Sequence, residues 1–117
     1  MTCFWDALRN KLNIKDSNET FIINLKSKNN KNTNILWNDT GLSDKQLEEN
    51  YVHIREFDDK KINNGYDCSV CDPFLILICN IYKVSIIHNY RGIIINYKNN
   101  DKPEKILNFQ SNNNHFW

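Results

Sequence analysis

Two residues far apart in the chain have the types needed for thiol chemistry. Cys3 lies in "MTCFWDALRN" and His115 in "NNNHFW". A thiolate is a strong nucleophile, and the free N–H groups and dipole of a helix N-terminus favour negative charge there. Cys3 stands where a helix should begin. Histidine is the usual base for such a thiol, because it titrates near neutrality and can hold a thiolate as an ion pair. Taken singly, each has a plainer explanation. A free cysteine is often a small buried apolar side chain, and a histidine near a terminus is commonly just exposed.

A second constellation is built on "CSVC" (Cys68 to Cys71), with Cys79 and His88 further along. Two thiolates, a third thiolate and an imidazole can surround zinc tetrahedrally. However, Cys79 lies inside the apolar run "FLILICN", where core packing explains it, and only one true knuckle is present. No metal and no cofactor are therefore assigned. A thioredoxin-like redox role fits less well, since no clear strand precedes the motif. His53 is expected on a helix face and His88 at a strand end, both in structural roles.

The elements that must position these residues can be traced along the chain. Residues 3–13, "CFWDALRNKLN", predict an amphipathic helix with Phe4, Leu8 and Leu12 at four-residue spacing and Trp5 widening the stripe. Thr2 is its candidate N-cap. "ETFIINLK" (Glu19 to Lys26) fits either a strand or a short helix. A basic polar loop, "KSKNNKNTN" (Lys26 to Asn34), follows, then Trp37 as a packing anchor and a Thr-Gly turn. "SDKQ" from Ser43 is a capping box that opens a helix reaching about Phe57. "DDKKINNGYD" predicts a loop turning at Gly65. In "DPFLILICNIYK", Asp72 as cap and Pro73 at the first position predict a buried helix, although its β-rich composition argues for a strand. "VSIIHNY" and "GIIINYK" predict a hairpin around Arg91-Gly92. A third strand, Glu104 to Ser111, follows the turn "NNDKP". The order gives one α+β domain over residues 1–117, with helices packed on a small, mostly antiparallel sheet.

Composition excludes several classes of function. The net charge is only +1, unlike the basic footprint of a protein that binds a phosphate backbone, so no nucleic-acid partner is expected. No run of about 18 apolar residues exists to span a membrane. No basic and then apolar leader opens the chain, which predicts an intracellular protein whose four cysteines are thiols. The acidic set Glu48, Glu49, Glu56, Asp58 and Asp59 reads as a solvated face. With 21 asparagines among 117 residues, and lysine and isoleucine also abundant, the chain points to an AT-rich genome.

Three strings, taken in order, resemble the OTU-like (ovarian-tumour-like) cysteine proteases, a family of papain-like architecture. "CFWDAL" is similar to the family's nucleophile motif, D-G-N-C-[LF]-[FY]-x-[AS]-[LIV]. "FLILICNIYKVSII" resembles its helix running into a strand, L-x-x-L-A-x-x-x-x-V-x-I. "HFW" resembles its closing histidine with the aromatic that follows. Residues 14–66 carry no matching motif. The resemblance implies that Cys3 is the nucleophile and His115 the general base. Phe4, Ala7 and Leu8 would form the core face of the nucleophile helix, and Phe116 would hold the imidazole.

The family's acidic residue three positions before the cysteine has no counterpart, so the oxyanion hole must use the Cys3 N–H and a donor left unnamed. The family's Asp or Asn two residues after the histidine is here Trp117. A bare Cys–His dyad, a side chain such as Asn112, Asn113 or Asn114, or a carboxylate of Trp117 could each fill that gap. Thr2 is a further candidate orienting or oxyanion group, and removal of Met1 would place an α-amino group near the thiol. Trp5, Phe116 and Trp117 are candidate walls for a narrow substrate channel.

The resemblance further implies a deubiquitinase. It would hydrolyse bonds after the C-terminal Gly of ubiquitin or a ubiquitin-like protein, as a monomer in the cytoplasm, the host's if the source is a large DNA virus. A polyprotein-type viral endopeptidase and a non-catalytic interaction module, with zinc binding as one form of it, are the alternatives.

Overall fold

The computed structural model describes residues 2–31, 34–101 and 105–117. Part of the expected basic loop, Lys102 and Pro103 of the turn "NNDKP", Glu104 at the start of the expected third strand, and Met1 lie outside these residues. One hydrophobic core joins side chains from residues 4 to 116. No helix among the described residues is long and apolar enough to cross a membrane.

Helix α1 (Cys3–Leu12) buries Phe4, Trp5 and Leu8. It stops at Asn13, whose left-handed backbone (φ 57°) lets its N–H and that of Ile14 bond back to the last turn. Helix α2 (Asn18–Ser27) settles the ambiguous segment "ETFIINLK". Ser17 caps it through the Thr20 N–H, and Phe21, Ile22 and Leu25 are buried along one stripe. Four-residue spacing of the bulky side chains outweighs the local strand preference of the isoleucines.

Strands β1 (Ile35–Trp37) and β2 (Thr40–Gly41) form a small hairpin. Its turn is Asn38-Asp39 rather than the expected Thr-Gly. Both residues have positive φ (48° and 66°), as a tight hairpin turn requires, and asparagine and aspartate tolerate it best after glycine. Helix α3 (Asp44–Glu56) opens on the predicted capping box, with Ser43 and Gln46 bonded reciprocally. The expected loop after it contains a 3-10 helix (Asp59–Asn64) closed by Gly65 at φ 88°.

Helix α4 (Pro73–Tyr82) is the buried helix that the Asp72-Pro73 start implied. Every side chain from Pro73 to Cys79 is buried, because the helix packs between α3 and the sheet. Its propensity for strand loses to that cap and to burial all round. Strands β3 (Val84–Tyr90) and β4 (Ile93–Asn99) form the hairpin, with Arg91 and Gly92 at positive φ.

Strand β5 (Lys105–Ser111) lies beside β3 and runs parallel to it, in a five-stranded sheet ordered β2-β1-β4-β3-β5. The direction follows from position. Strand β4 ends beside the start of β3, and β5 sets out from that same end. The other three pairings are antiparallel. The sheet is thus mostly antiparallel with helices packed against it, as expected. Beyond β5 the chain doubles back, and Ser111 pairs with Phe116 across a turn.

Candidate active site

The site is assembled by two ends of the fold meeting through aromatic rings. Phe4, in the first turn of α1, lies 4.8 Å from Phe116 between ring centroids. Phe116 also stacks on Phe109 of β5 at 5.1 Å and meets His88 at 5.3 Å. The residues just before this ring pair are Cys3 and His115. Both line an open cleft of about 600 Å³, and both also line a second one of about 440 Å³. Cys3 and His115 therefore stand where two clefts adjoin. No hydrogen bond joins them among the described residues. Such contacts commonly tighten only when substrate is bound.

Cys3 is the first residue of α1. Thr2 occupies the N-cap position, but its side chain does not cap. It donates instead to Asp6 Oδ2 at 2.8 Å. Among the described residues no side chain caps the first-turn N–H groups, which leaves the positive end of the helix open beside Cys3. Asp6 lines the smaller cleft. Burial opposes its ionisation, but hydrogen bonds from Asn18, Thr2 and Arg9 win and hold its carboxyl below the usual range.

His115 is placed by a turn that Asn112 organises. The Asn112 Oδ1 accepts from the N–H groups of Asn114 (2.8 Å) and His115 (2.9 Å), and the Asn112 N–H donates to the His115 carbonyl. Two residues on, the Trp117 and Gln110 backbones exchange two hydrogen bonds of 2.8 Å, which extends the sheet past its edge strand. The Trp117 indole stacks on the imidazole, with centroids 5.1 Å apart and planes at 28°.

The three asparagines have separate fates. Asn112 serves the turn, and Asn113 Oδ1 accepts from the Tyr90 hydroxyl at 2.6 Å. Asn114 lines the larger cleft with its side chain unbonded among the described residues. None of them bonds the His115 ring, and Thr2 does not either. Trp117 meets that ring through its face.

Trp5, expected as a channel wall, is 0% exposed and lines neither cleft. It is the hub of an aromatic cluster with Phe4, Phe21, Phe57, Tyr66 and Phe74. It lies beside the Phe4–Leu8–Leu12 stripe and three residues before Leu8, on the core side of α1, so its bulk supports that helix from beneath. Phe116 does line both clefts, but as a core residue 4% exposed.

The far wall of the larger cleft was not foreseen. It comprises Asn64 to Cys68, with Tyr90 and Ser111 nearby. Asp72, fully buried, anchors this wall. Its Oδ2 accepts from the Tyr66 hydroxyl (2.8 Å) and the Ser69 N–H (3.0 Å), while Oδ1 caps α4 through Phe74 (2.9 Å). Burial and the Asp72 charge push the Tyr66 hydroxyl and the Cys68 thiol far up, and the Cys71 thiol to about 11. These groups are neutral at physiological pH. The sequence marked Cys68 and Cys71 only as a Cys-x-x-Cys and Asp72 only as a cap, which gave no hint that the second Asp72 oxygen would reach back to residue 66.

The metal constellation is dispersed. Cys79 is buried in α4, its thiol aimed at the Tyr97 carbonyl 3.9 Å away, while His88 bonds Ser111. Among the described residues, no three His, Cys, Asp or Glu side chains gather where a metal ion could sit. The acidic face is largely paired, Glu48 with Lys31, Glu49 with Lys45 and Asp59 with Lys26, and it lines neither cleft.

No protein-family model, curated protein or solved structure matches the chain. The functional reading rests on the residues themselves.

Proposed function

We propose that this protein is a cysteine peptidase of the OTU-like type, acting on ubiquitin or a ubiquitin-like modifier. The observation that carries the reading is that Cys3 and His115 line the same two clefts. A nucleophile and base at a neck between two open clefts suit a substrate that enters on one side and continues on the other. The acyl portion occupies one cleft and the amine portion the other.

In this reading the Cys3 thiolate attacks the carbonyl carbon of the terminal Gly. A C–S bond forms while the carbonyl electron pair moves to oxygen. Collapse of that intermediate breaks the C–N bond, and protonated His115 gives its proton to the departing lysine amine. Water, deprotonated by His115, then cleaves the thioester and restores the thiolate–imidazolium pair. The open N-terminus of α1 offers N–H groups to the developing oxyanion.

The test is covalent capture by ubiquitin carrying a C-terminal electrophile. A stable adduct that disappears on Cys3→Ala and is strongly reduced on His115→Ala is the expected result. No adduct with folded protein would sink the ubiquitin assignment. Cys3 that is also inert to small alkylating agents would sink the peptidase assignment with it.

A further inference from the structure

Behind the larger cleft, His88 of β3 reaches Ser111 at the end of β5. The imidazole Nε2 and the serine Oγ are 2.6 Å apart. His88 is 2% exposed, and Ser111 lines the cleft that also holds Cys3 and His115. The other ring nitrogen, Nδ1, is buried with no hydrogen-bond partner among the described residues. Its surroundings are apolar. The Phe116 ring lies 5.3 Å away, and the strand neighbours of His88 are Ile95 and Phe109. Burial lowers the His88 pKa, so the ring is neutral and carries a single N–H.

That proton has two places to go. On Nδ1 it would be a buried donor with nothing to bond, an arrangement that folded proteins almost never tolerate. On Nε2 it meets Ser111 Oγ, and Nδ1 is left as an unfilled acceptor, the lesser cost. The second tautomer fixes the direction of the hydrogen bond. Ser111 Oγ then accepts, and its own hydrogen is left without an acceptor among the described residues. Because Ser111 lines the larger cleft, that hydrogen is open to an acceptor on a ligand there.

We propose that the Ser111 hydroxyl is a hydrogen-bond donor to the acyl carbonyl oxygen of a ligand in this cleft, held in that role by His88 Nε2–H. The assignment rests on the peptidase reading for its chemistry. As the Cys3–carbon bond forms and the carbonyl electron pair moves to oxygen, Ser111 donates to that oxygen, so it is the side-chain donor that complements the backbone N–H groups of α1. His88 is a positioning residue, because it acts through Ser111.

Two measurements test this. Nitrogen-15 NMR of the imidazoles reads the His88 tautomer directly. A proton on Nε2 is expected, and a proton on Nδ1 would overturn the assignment whatever the enzyme does. The second compares two reactions of Cys3, followed by mass spectrometry. Acylation by p-nitrophenyl acetate builds an oxyanion, whereas alkylation by iodoacetamide does not. Ser111→Ala is expected to slow acylation by about 100-fold and to leave alkylation unchanged, while Ser111→Thr, which keeps the hydroxyl, acylates nearly as the parent does. Acylation unaffected by Ser111→Ala, or acylation and alkylation reduced together with no recovery in Ser111→Thr, would overturn it. If Cys3→Ala acylates as fast as the parent, the peptidase reading fails instead, and the tautomer still decides the direction of the Ser111 hydroxyl.

Discussion

The rings of Phe4 and Phe116 lie 4.8 Å apart at 57°, and each follows directly on one half of the candidate catalytic pair. The contact fixes the first turn of α1 against the returning chain beyond β5. It converts two residues distant in sequence into neighbours at one cleft neck.

Truncating that contact should therefore damage stability and reactivity together. Phe116 is buried among Phe4, Phe109 and His88, and Phe116→Ala should cost about 3–5 kcal/mol, in line with other large-to-small core changes. Phe116→Leu refills most of the volume and should recover most of the stability. It loses the ring that aligns the two segments, so Cys3 acylation should stay slow. Urea unfolding and acylation rates measured on both variants check this. Full acylation by the leucine variant would show that volume alone, and not the ring, sets the pairing.

The Trp117 indole stands where a third polar residue was sought. Its stack on His115 restrains the imidazole by face contact, and an aromatic face favours a cation above it. An aromatic pair is worth about 0.5–1.5 kcal/mol, so Trp117→Ala should slow Cys3 acylation by roughly 2- to 13-fold. Trp117→Phe should retain most of the rate. Equal rates for the alanine variant and the parent would remove Trp117 from the site.

Thiol reactivity should separate the four cysteines. Cys3 is partly exposed at an open helix end. Burial and Asp72 hold the Cys68 and Cys71 thiols protonated, and burial alone does so for Cys79. Brief treatment with limiting iodoacetamide at neutral pH, followed by peptide mass spectrometry, should label Cys3 first. Labelling that begins at Cys68 or Cys71 would contradict the assigned environments.

What could be read from the sequence was local. Ser43 with Gln46, Asp72 with Pro73, and Arg91 with Gly92 each mark an element boundary through nearest-neighbour chemistry, and each appears where expected. The Asn38-Asp39 turn was overlooked because the glycine at position 41 drew the turn toward itself. Trp5 was misplaced as a channel wall, since a helical stripe shows which residues lie on a face but not how deeply the face is covered. The His88–Ser111 pair had no local signal at all. It exists because β5 runs parallel to β3 in the register that sets His88 beside Phe109 and Tyr90 beside Ser111. The far cleft wall depends likewise on Asp72 reaching Tyr66 and Ser69 while capping α4.

That buried histidine should leave a mark on acid stability. Burial lowers its pKa in the folded protein below the ordinary value of 6.5. Its neighbours are the Ser111 hydroxyl, the Phe116 ring, Ile95 and Phe109, and none of them carries a negative charge to offset the cost of burying an imidazolium. Below about pH 6.5 the unfolded chain binds a proton at His88 that the folded chain refuses. Stability from this group is thus complete above that pH and declines as pH falls toward the folded pKa, by at most about 1.4 kcal/mol per pH unit. Replacing His88 with Gln removes the titration and keeps a polar side chain. Urea midpoints measured from pH 7.5 to 5 should fall more steeply for the parent than for His88→Gln. The difference between the two curves isolates this residue from the carboxylates, which titrate in both proteins. Parallel curves would mean that His88 accepts its proton without strain, through a partner for Nδ1 that the folded core does not otherwise provide.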